Sequence, residues 1–282
     1  MVRDAAGFIF QAMNEQRPFG DLLREWRQRR RLSQLGLALD AEVSAKHLSF
    51  VETGRAQPSR EMVLRLAERL DVPLRERNAM LLAAGFAPMY RERPLVDPAL
   101  QSARHAVDRL LAAHEPYPAL AVDRHWNVVL ANRLVAPLMA GAAAHLVSPP
   151  LNVLRLSLHP QGLAPRIVNL AQWRAHLLQR LQRQIEVSGD VELTELLEEL
   201  RDYPLHANGP APAEEFDVAG VVVSLHLAFD GGVLSFFSAT TIFGSPVDVT
   251  LAELAIESFF PADAATARAL ERLAVDVIKS AS

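Results

Sequence analysis

Three serines, Ser33, Ser44 and Ser59, each stand directly before a short amphipathic stretch in the first third of the chain. A serine hydroxyl in this position accepts a hydrogen bond from an amide of the first helical turn, and so marks where a helix begins. Together with stretches that begin at Phe19 and Leu74, these serines predict five helices, at about residues 19–31, 33–40, 44–52, 59–70 and 74–84. Each helix is too short to be stable alone, so the five are expected to pack into one all-α domain.

A break in helical periodicity follows at residues 85–94, where a glycine and two prolines stand among charged residues. The full length of 282 residues suits two domains. We therefore expect a first domain at residues 17–86, a second at residues 95–260 and a C-terminal helix at residues 261–282.

The second region alternates helix and strand patterns, which predicts a mixed α/β domain with an antiparallel sheet. The clearest strand signal is a hairpin, with Asp230-Gly231-Gly232 between runs at residues 221–229 and 233–243, because aspartate-glycine favours a tight turn. Helices are expected at residues 99–113, 133–140, 164–187, 191–200 and 262–278, two further strands at residues 119–122 and 128–131, and a loop at residues 208–215.

Charge is divided unevenly between the two regions. Residues 1–95 carry 16 Lys and Arg against 12 Asp and Glu, whereas residues 96–282 carry 13 against 21, so the two parts have formal charges of +4 and −8. The basic part can approach DNA, and the acidic part would be repelled by it.

The composition excludes several classes of protein. The chain has no cysteine, which removes disulfides, thiolate zinc sites and cysteine nucleophiles. No apolar run approaches the roughly 18 residues that a membrane span requires, and the start lacks the pattern of a signal peptide. We expect a soluble cytoplasmic protein that does not contact membranes.

The spacing of apolar and small residues in 32–55 is typical of two short helices that pack against each other. Two short helices can cross closely at the small residue Ala38, while Leu35, Val43, Leu48 and Val51 face a shared core. The second helix then projects outward, where its N-terminal residues can enter a major groove.

This stretch, with Gln57-Pro58-Ser59-Arg60 after it, resembles the Cro/repressor (XRE-type) helix-turn-helix family. Relatives commonly carry glycine where this chain has Glu42, and a side chain at positive φ costs about 1 kcal/mol. The resemblance implies a sequence-specific transcription regulator that binds double-stranded operator DNA. We expect a homodimer on a palindromic operator, and the resemblance places this protein on the bacterial nucleoid.

The candidate DNA contacts follow from position in the motif. Ala45, Lys46, Ser49 and Phe50 lie on the exposed face of the recognition helix, where Lys46 can reach a guanine. The alternatives are that Lys46 meets only phosphate and that Phe50 packs inside. The remaining candidates contact or position the phosphate backbone: Gln34, Ser44, Arg55, Ser59 and Arg60. The basic cluster Arg27, Arg29, Arg30 and Arg31 can do the same or simply complement the helix dipole, and Glu52 is expected to pair with an arginine.

In the second region, residues 117–132, residues 152–156 and the helix containing Trp173 resemble the PAS-type ligand-binding domain of MmyB-like transcription regulators. The resemblance implies a pocket between the sheet and its covering helices for a small apolar, fatty-acid-like ligand. The candidate apolar contacts are Leu138, Leu154, Trp173, Leu177 and Phe236. A carboxylate head group would need a cation or donors, for which the candidates are Asn132, Arg155, His159, Arg174 and His176.

Three alternatives compete with ligand sensing. The chain has no Gly-x-Ser-x-Gly elbow, no phosphate-binding glycine loop and no His-Glu-x-x-His motif, so we expect no catalysis. A haem-type PAS sensor would use His159 or His176 as axial ligand, and an interaction module would only dimerise the DNA-binding domain or contact another protein. We expect no obligatory cofactor and no metal, and a fatty acid is one molecule that the pocket can bind.

Overall fold

The computed structural model describes residues 17–204, 223–244 and 246–280. The chain divides into two compact units. The first consists of the residues up to Glu92 together with the short segment Val247–Val249, and the second consists of the other residues from Arg93 onward. The predicted fold class is confirmed: an all-α helix-turn-helix domain precedes an α/β domain with an antiparallel sheet.

Within residues 17–92 the structure describes five helices: α1 (Phe19–Arg29), α2 (Gln34–Asp40), α3 (Ala45–Glu52), α4 (Arg60–Arg69) and α5 (Leu74–Ala83). The three serine caps are confirmed. The Oγ atoms of Ser33, Ser44 and Ser59 accept hydrogen bonds from the amides of Gly36, His47 and Met62, at 3.0, 3.1 and 3.2 Å. The predicted helix ends lie within two residues of the observed ones.

The turn between α2 and α3 passes through Glu42, whose φ of 56° lies in the left-handed region. This is the conformation for which glycine is favoured, so glutamate adopts it at a cost. The amide of Val43 then donates to the carbonyl of Ala38 at 2.9 Å, which closes the end of α2. The turn therefore has the helix-turn-helix geometry although it lacks glycine.

An apolar core holds this unit together and includes Leu37 and Ala38 from α2 with Leu48 and Val51 from α3. The prediction that Leu35 joins this core is wrong, because its side chain is 60% exposed. Two residues correspond to about 200° around a helix, so Leu35 and the buried Leu37 face opposite sides.

The C-terminal unit contains all five strands described in the structure and the longest helices. Its helices are α6 (Gln101–Ala113), α7 (Val135–Leu138), α8 (Ala144–Val147), α9 (Val153–Leu158), α10 (Leu170–Ser188), α11 (Val191–Asp202), and, after the short helix α12 (Val249–Ala252), α13 (Ala264–Ser280). The strands are β1 (Ala119–Val122), β2 (Val128–Ala131), β3 (Leu225–Phe229), β4 (Gly232–Ile242) and β5 (Ala255–Pro261).

The five strands form one antiparallel sheet with the order β2-β1-β5-β4-β3. The predicted hairpin is confirmed, with Phe229 paired to Gly232 across a two-residue turn. Asp230 and Gly231 have φ values of 47° and 74°, and this pair of positive values gives a turn that matches the twist of the strands. Its first strand begins at Leu225, and residues 221–222 of the predicted run lie outside the described residues, as does the predicted loop at 208–215.

The two faces of the sheet are covered by different helices. On one face, Ala119 and Ala121 pack with Val107 and Leu111 of α6. The alternate residues of β1, Leu120 and Val122, belong to a larger cluster with residues of α9, α10 and α11. The second face, called here the inner face, therefore carries the main core of the unit.

The helix predicted at residues 164–187 begins later than expected. Residues 164–166 form a separate 3₁₀ turn, and α10 starts at Leu170. Between them, Ile167 bridges Leu227 of the edge strand β3, and the amide of Val168 donates to the carbonyl of His226 at 2.8 Å. The backbone at this point extends the sheet, so it cannot also be helical.

The helix predicted at residues 133–140 is also shorter, with only Val135–Leu138 in α7. The amides of Met139 and Ala140 donate to the carbonyls of Ala136 and Pro137, three residues earlier, at 3.1 and 3.2 Å. This tighter hydrogen bonding ends the α-helix.

Candidate DNA interface and ligand cavity

The recognition helix α3 buries one face and presents another. Leu48 and Val51 are buried, while Lys46 is exposed. The Nζ of Lys46 lies 5.7 Å from the ring centre of Phe50, one helical turn away. Phe50 and Ser49 are partly buried, so the ring supports the lysine and still meets solvent. A cation and an aromatic edge thus occupy the exposed face of the helix.

A buried ion pair joins the recognition helix to the rest of the unit. The Glu52 side chain is fully buried, and its carboxylate accepts hydrogen bonds from Arg27 Nε at 2.6 Å, Arg27 Nη2 at 3.1 Å and Gln34 Nε2 at 2.7 Å. Burial acts to raise the pKa of Glu52, but the Arg27 and Gln34 hydrogen bonds and the charges of Arg27 and Arg24 outweigh it, so the pKa lies below its usual value. The pair ties α1, α2 and α3 together, as expected for Glu52.

Other candidates divide between structural contacts and free cations. Ser44 and Ser59 act as helix caps through their hydroxyls. Lys46, Arg55 and Arg60 are exposed, and none of them forms an ion pair with any residue in the described part of the chain. These three side chains are therefore available to a polyanion.

Most arginines of the basic cluster at the end of α1 already bind other groups of the same unit. Arg27 pairs with Glu52, Arg29 pairs with Glu25, and Arg30 donates to the carbonyl of Leu70 at 2.8 Å. These arginines fix helix positions, which is closer to the structural interpretation of the cluster than to phosphate binding.

A cavity of about 120 Å³ lies against the inner face of the sheet in the C-terminal unit. Its walls are apolar and aromatic, and Trp126 and Trp173 both contribute. Side chains from β1, β3, β4 and β5 form one wall, and residues of α7, α9 and α10 form the other. Five predicted ligand contacts line it: Leu138, Leu154, Trp173, Leu177 and Phe236.

The other five candidates do not line this cavity, and Asn132 is one of them. Its buried amide donates to the carbonyls of Leu111 and Tyr117 at 3.2 and 2.7 Å and accepts from the amides of Ala119 and Leu134 at 3.2 and 3.3 Å. The side chain thus holds the end of α6, the start of β1 and the entry to α7 in place.

The two predicted head-group arginines are engaged with α11 and the residue that follows it. Arg155 forms a two-pronged ion pair with Glu199, with contacts of 2.9 and 2.7 Å. Arg174 donates to the carbonyls of Tyr203 and Leu200 at 2.9 and 3.1 Å, where it closes the C-terminal end of the helix. Neither guanidinium faces the cavity.

The two predicted histidines lie outside the cavity as well. His159 accepts a hydrogen bond from the amide of Gln161 at its Nδ1, and its ring contacts His145 and Tyr203 edge-on. The His176 ring stacks on Trp173 with 5.6 Å between ring centres. Burial lowers the pKa of both imidazoles, which favours their neutral forms.

Sequence reasoning missed the polar residues that do line the cavity, namely Ser157, Arg180, Ser238 and Glu257. Arg180 lies three residues after Leu177 on the stripe of α10 that faces the sheet. Glu257 is a charged residue inside the apolar run of β5. A charged residue within an apolar strand could have indicated a functional position. Its partner Arg180, however, is 77 residues away in sequence, and only the fold brings the two side chains together.

Two further searches of the described residues gave negative results. No group of three or more His, Asp or Glu side chains is arranged to hold a metal ion. None of the described helices is both long and apolar enough to cross a bilayer.

Comparison with known proteins gives two family matches. A helix-turn-helix domain model matches residues 18–80, and the model of the MmyB-like transcription regulator ligand binding domain matches residues 103–273. No match is found among curated proteins. A solved structure described as "Structure of an RNA-binding Light-Oxygen-Voltage Receptor" is 13% identical, with 100% of this chain and 68% of that chain covered and a TM-score of 0.24, which is too low to indicate a shared fold.

The two matches confirm the helix-turn-helix and MmyB-like resemblances found in the sequence. The N-terminal unit is a DNA-binding helix-turn-helix domain, and the C-terminal unit is a ligand-binding domain whose partner is a small molecule. Neither family is one of enzymes, in agreement with the expected lack of catalysis. Because the ligand-binding model spans more than half of the chain, this protein belongs to the MmyB-like transcription regulators.

Proposed function

We propose that this regulator senses a small apolar molecule, of the kind that carries a fatty-acid-like alkyl chain, in the inner-face cavity of a PAS-like domain. The observation that carries the proposal is the cavity itself, in which the aromatic rings of Trp126, Trp173 and Phe236 and the side chain of Leu177 form the wall. An apolar surface of this kind gains free energy when an alkyl or aromatic group replaces water, at about 25 cal/mol per Å².

The size of the cavity limits the ligand. Its volume of about 120 Å³ is similar to the roughly 150 Å³ of an engineered cavity that binds benzene. A short alkyl chain fits this space directly. Met139 also lines it and is partly buried, and the unbranched methionine side chain adapts its shape readily, so longer chains are expected to enter by movement on this side.

DNA recognition is proposed to use the exposed face of α3. Lys46 reads base edges with Ala45, Ser49 and Phe50 beside it, while Gln34, Ser44, Arg55, Ser59 and Arg60 hold or position the phosphate backbone. As a homodimer, the protein would place two recognition helices about 34 Å apart on a palindromic operator. We propose that it does so in the bacterial cytoplasm, on the nucleoid.

Ligand binding and DNA binding are proposed to be coupled. A ligand shifts operator affinity only if it favours one arrangement of the dimer over another, and such coupling typically amounts to about 1 to 3 kcal/mol. The haem alternative gains no support, because neither His159 nor His176 lines the cavity. The experiment below distinguishes the proposed sensor from an interaction module that binds no ligand.

The test is native mass spectrometry of the full-length protein, first as purified and then with added octanol, in the wild type and two variants. Leu138→Trp adds bulk at a partly buried side chain that lines the cavity, and Ala136→Trp adds the same ring at an exposed position of the same short helix. We expect the wild type and Ala136→Trp to bind one octanol and Leu138→Trp to bind none. Equal binding by all three proteins would contradict the proposed site, and binding by none would favour the interaction module.

A further inference from the structure

The cavity has a polar end formed by an ion pair. Arg180 Nη1 donates to Glu257 Oε2 at 3.0 Å, and Arg180 Nη2 donates both to Glu257 Oε1 and, at 2.7 Å, to Thr240 Oγ1. The Thr240 hydroxyl donates in turn to Glu257 Oε1 at 2.9 Å. Both charged residues line the cavity, and among its described lining residues they are the only charged ones.

The framework holds both partners in place. Glu257 lies on β5, between β1 and β4, where it stands opposite Leu120 on one side and Thr240 on the other. The guanidinium of Arg180 lies 4.6 Å from the ring centre of Trp126. Rotating Arg180 away would break the ion pair and the contact with Trp126, and rotating Glu257 away would break the ion pair and the hydrogen bond from Thr240. The pair is therefore a fixed part of the cavity.

The charges of this pair affect which ligand head groups can be placed beside it. The Glu257 side chain is only 5% exposed, so its charge is screened weakly by water. A ligand carboxylate close enough to use Arg180 would also lie close to this carboxylate, and Arg180 already compensates one negative charge. The Arg180 side chain is 28% exposed, but two carboxylates beside this one cation still leave a net negative charge next to the buried Glu257, which is costly.

Among the described residues, no cation other than Arg180 lines the cavity. Arg155 is paired with Glu199, and Arg174 is bound to backbone carbonyls of α11. Both side chains lie outside the cavity lining. The two arginines that were candidates for binding a carboxylate head therefore lie elsewhere, Arg155 paired with a carboxylate and Arg174 bound to backbone carbonyls.

Neutral hydrogen-bonding groups, in contrast, are present. Ser238 lies two residues before Thr240 on β4, hence on the same face and about 7 Å along the strand. Its hydroxyl makes no hydrogen bond with the described residues. Ser157 accepts from the Trp173 indole at 2.9 Å and keeps its own hydroxyl proton to donate. A hydroxyl, amide or ester can pair with these groups without bringing a charge.

We infer that the ligand of this cavity has an uncharged polar head on its apolar chain, such as an alcohol, amide or ester, and that a free carboxylate is rejected. The inference rests on the proposed function, since it specifies the head group of the molecule that the cavity senses. The fixed Arg180–Glu257 pair is what produces this selectivity.

The test compares octanol, octanamide and octanoate, which share a chain length, on the full-length wild type at neutral pH. Two of the three tryptophans, Trp126 and Trp173, line the cavity, so tryptophan fluorescence reports occupancy directly. We expect octanol and octanamide to bind at least about tenfold more tightly than octanoate. In Glu257→Gln the cation of Arg180 is released, and the ratio of octanoate to octanol affinity should rise at least tenfold.

The outcomes separate the two proposals. Octanoate binding to the wild type as tightly as octanol, or more tightly, would overturn the inference and leave the sensor function intact. Failure of all three ligands to bind would overturn the proposed function and the inference with it. The wild-type comparison decides the matter even if Glu257→Gln does not fold.

Discussion

Replacing Glu52 with glutamine should strongly destabilise the helix-turn-helix unit. The Glu52 side chain is fully buried, and the Arg27 side chain that it neutralises is only 12% exposed. Glutamine keeps the shape but leaves the guanidinium of Arg27 with a neutral partner in a weakly solvated site. Removing one member of a buried pair costs about 3 to 5 kcal/mol, and the residual exposure of Arg27 places this case near 3.

Hydrogen exchange followed by mass spectrometry measures this loss within the full-length chain, because peptides from residues 19–83 report on this unit alone. A loss of about 3 kcal/mol corresponds to a more than hundredfold faster exchange of its protected amides. Glu68→Gln is the matched control, since Glu68 is exposed on α4. Unchanged exchange in Glu52→Gln would refute the argument that this pair holds α1, α2 and α3 together.

The same carboxylate gives a pH dependence with a definite sign. The folded pKa of Glu52 lies below the usual value of 4.5, so the carboxylate contributes stability that is fully present above about pH 4.5 and is lost as pH falls through the folded pKa. The acid sensitivity of exchange in residues 19–83 should therefore be smaller in Glu52→Gln than in the wild type. An identical acid profile in the two proteins would contradict the lowered pKa.

Three further predictions concern single positions. The chain has only two lysines, Lys46 and Lys279, so selected operator DNA should protect Lys46 from acetylation while Lys279 remains an internal control, and Lys46→Ala should weaken operator binding more than random-DNA binding. Equal losses on both DNAs would assign Lys46 to phosphate. Glu42→Gly should raise the melting temperature slightly, by relieving up to about 1 kcal/mol at a φ of 56°, and a lower melting temperature would speak against strain there. Asn132→Leu should destabilise the ligand-binding domain by about 2 kcal/mol or more, because it removes four hydrogen bonds from buried groups, and wild-type stability in urea unfolding would contradict this.

The helix-turn-helix unit was predictable because its determinants are local. Ser33, Ser44 and Ser59 cap helices a few residues away, and a hydroxyl needs nothing distant to do so. The hairpin was predictable for the same reason, since Asp230 and Gly231 set the turn on their own. Leu35 was misplaced because the motif gives a spacing but does not say which side of α2 meets the other helices.

The polar end of the cavity was not predictable because it depends on distant contacts. Arg174 and Arg180 both lie on α10 and offer the same chemistry. The C-terminal end of α11 binds Arg174, whereas the register of β4 and β5 places Glu257 and Thr240 beside Arg180. The late start of α10 has a similar origin, since Ile167 joins the edge of a sheet strand 60 residues later in the chain.

The most direct test of the account is the affinity of the full-length protein for an operator selected from random DNA, measured with and without saturating octanol. We predict that octanol changes this affinity at least about fivefold, that Ala136→Trp keeps the change and that Leu138→Trp loses it. An operator affinity that is the same with octanol bound and absent would contradict the claim that this cavity controls DNA binding.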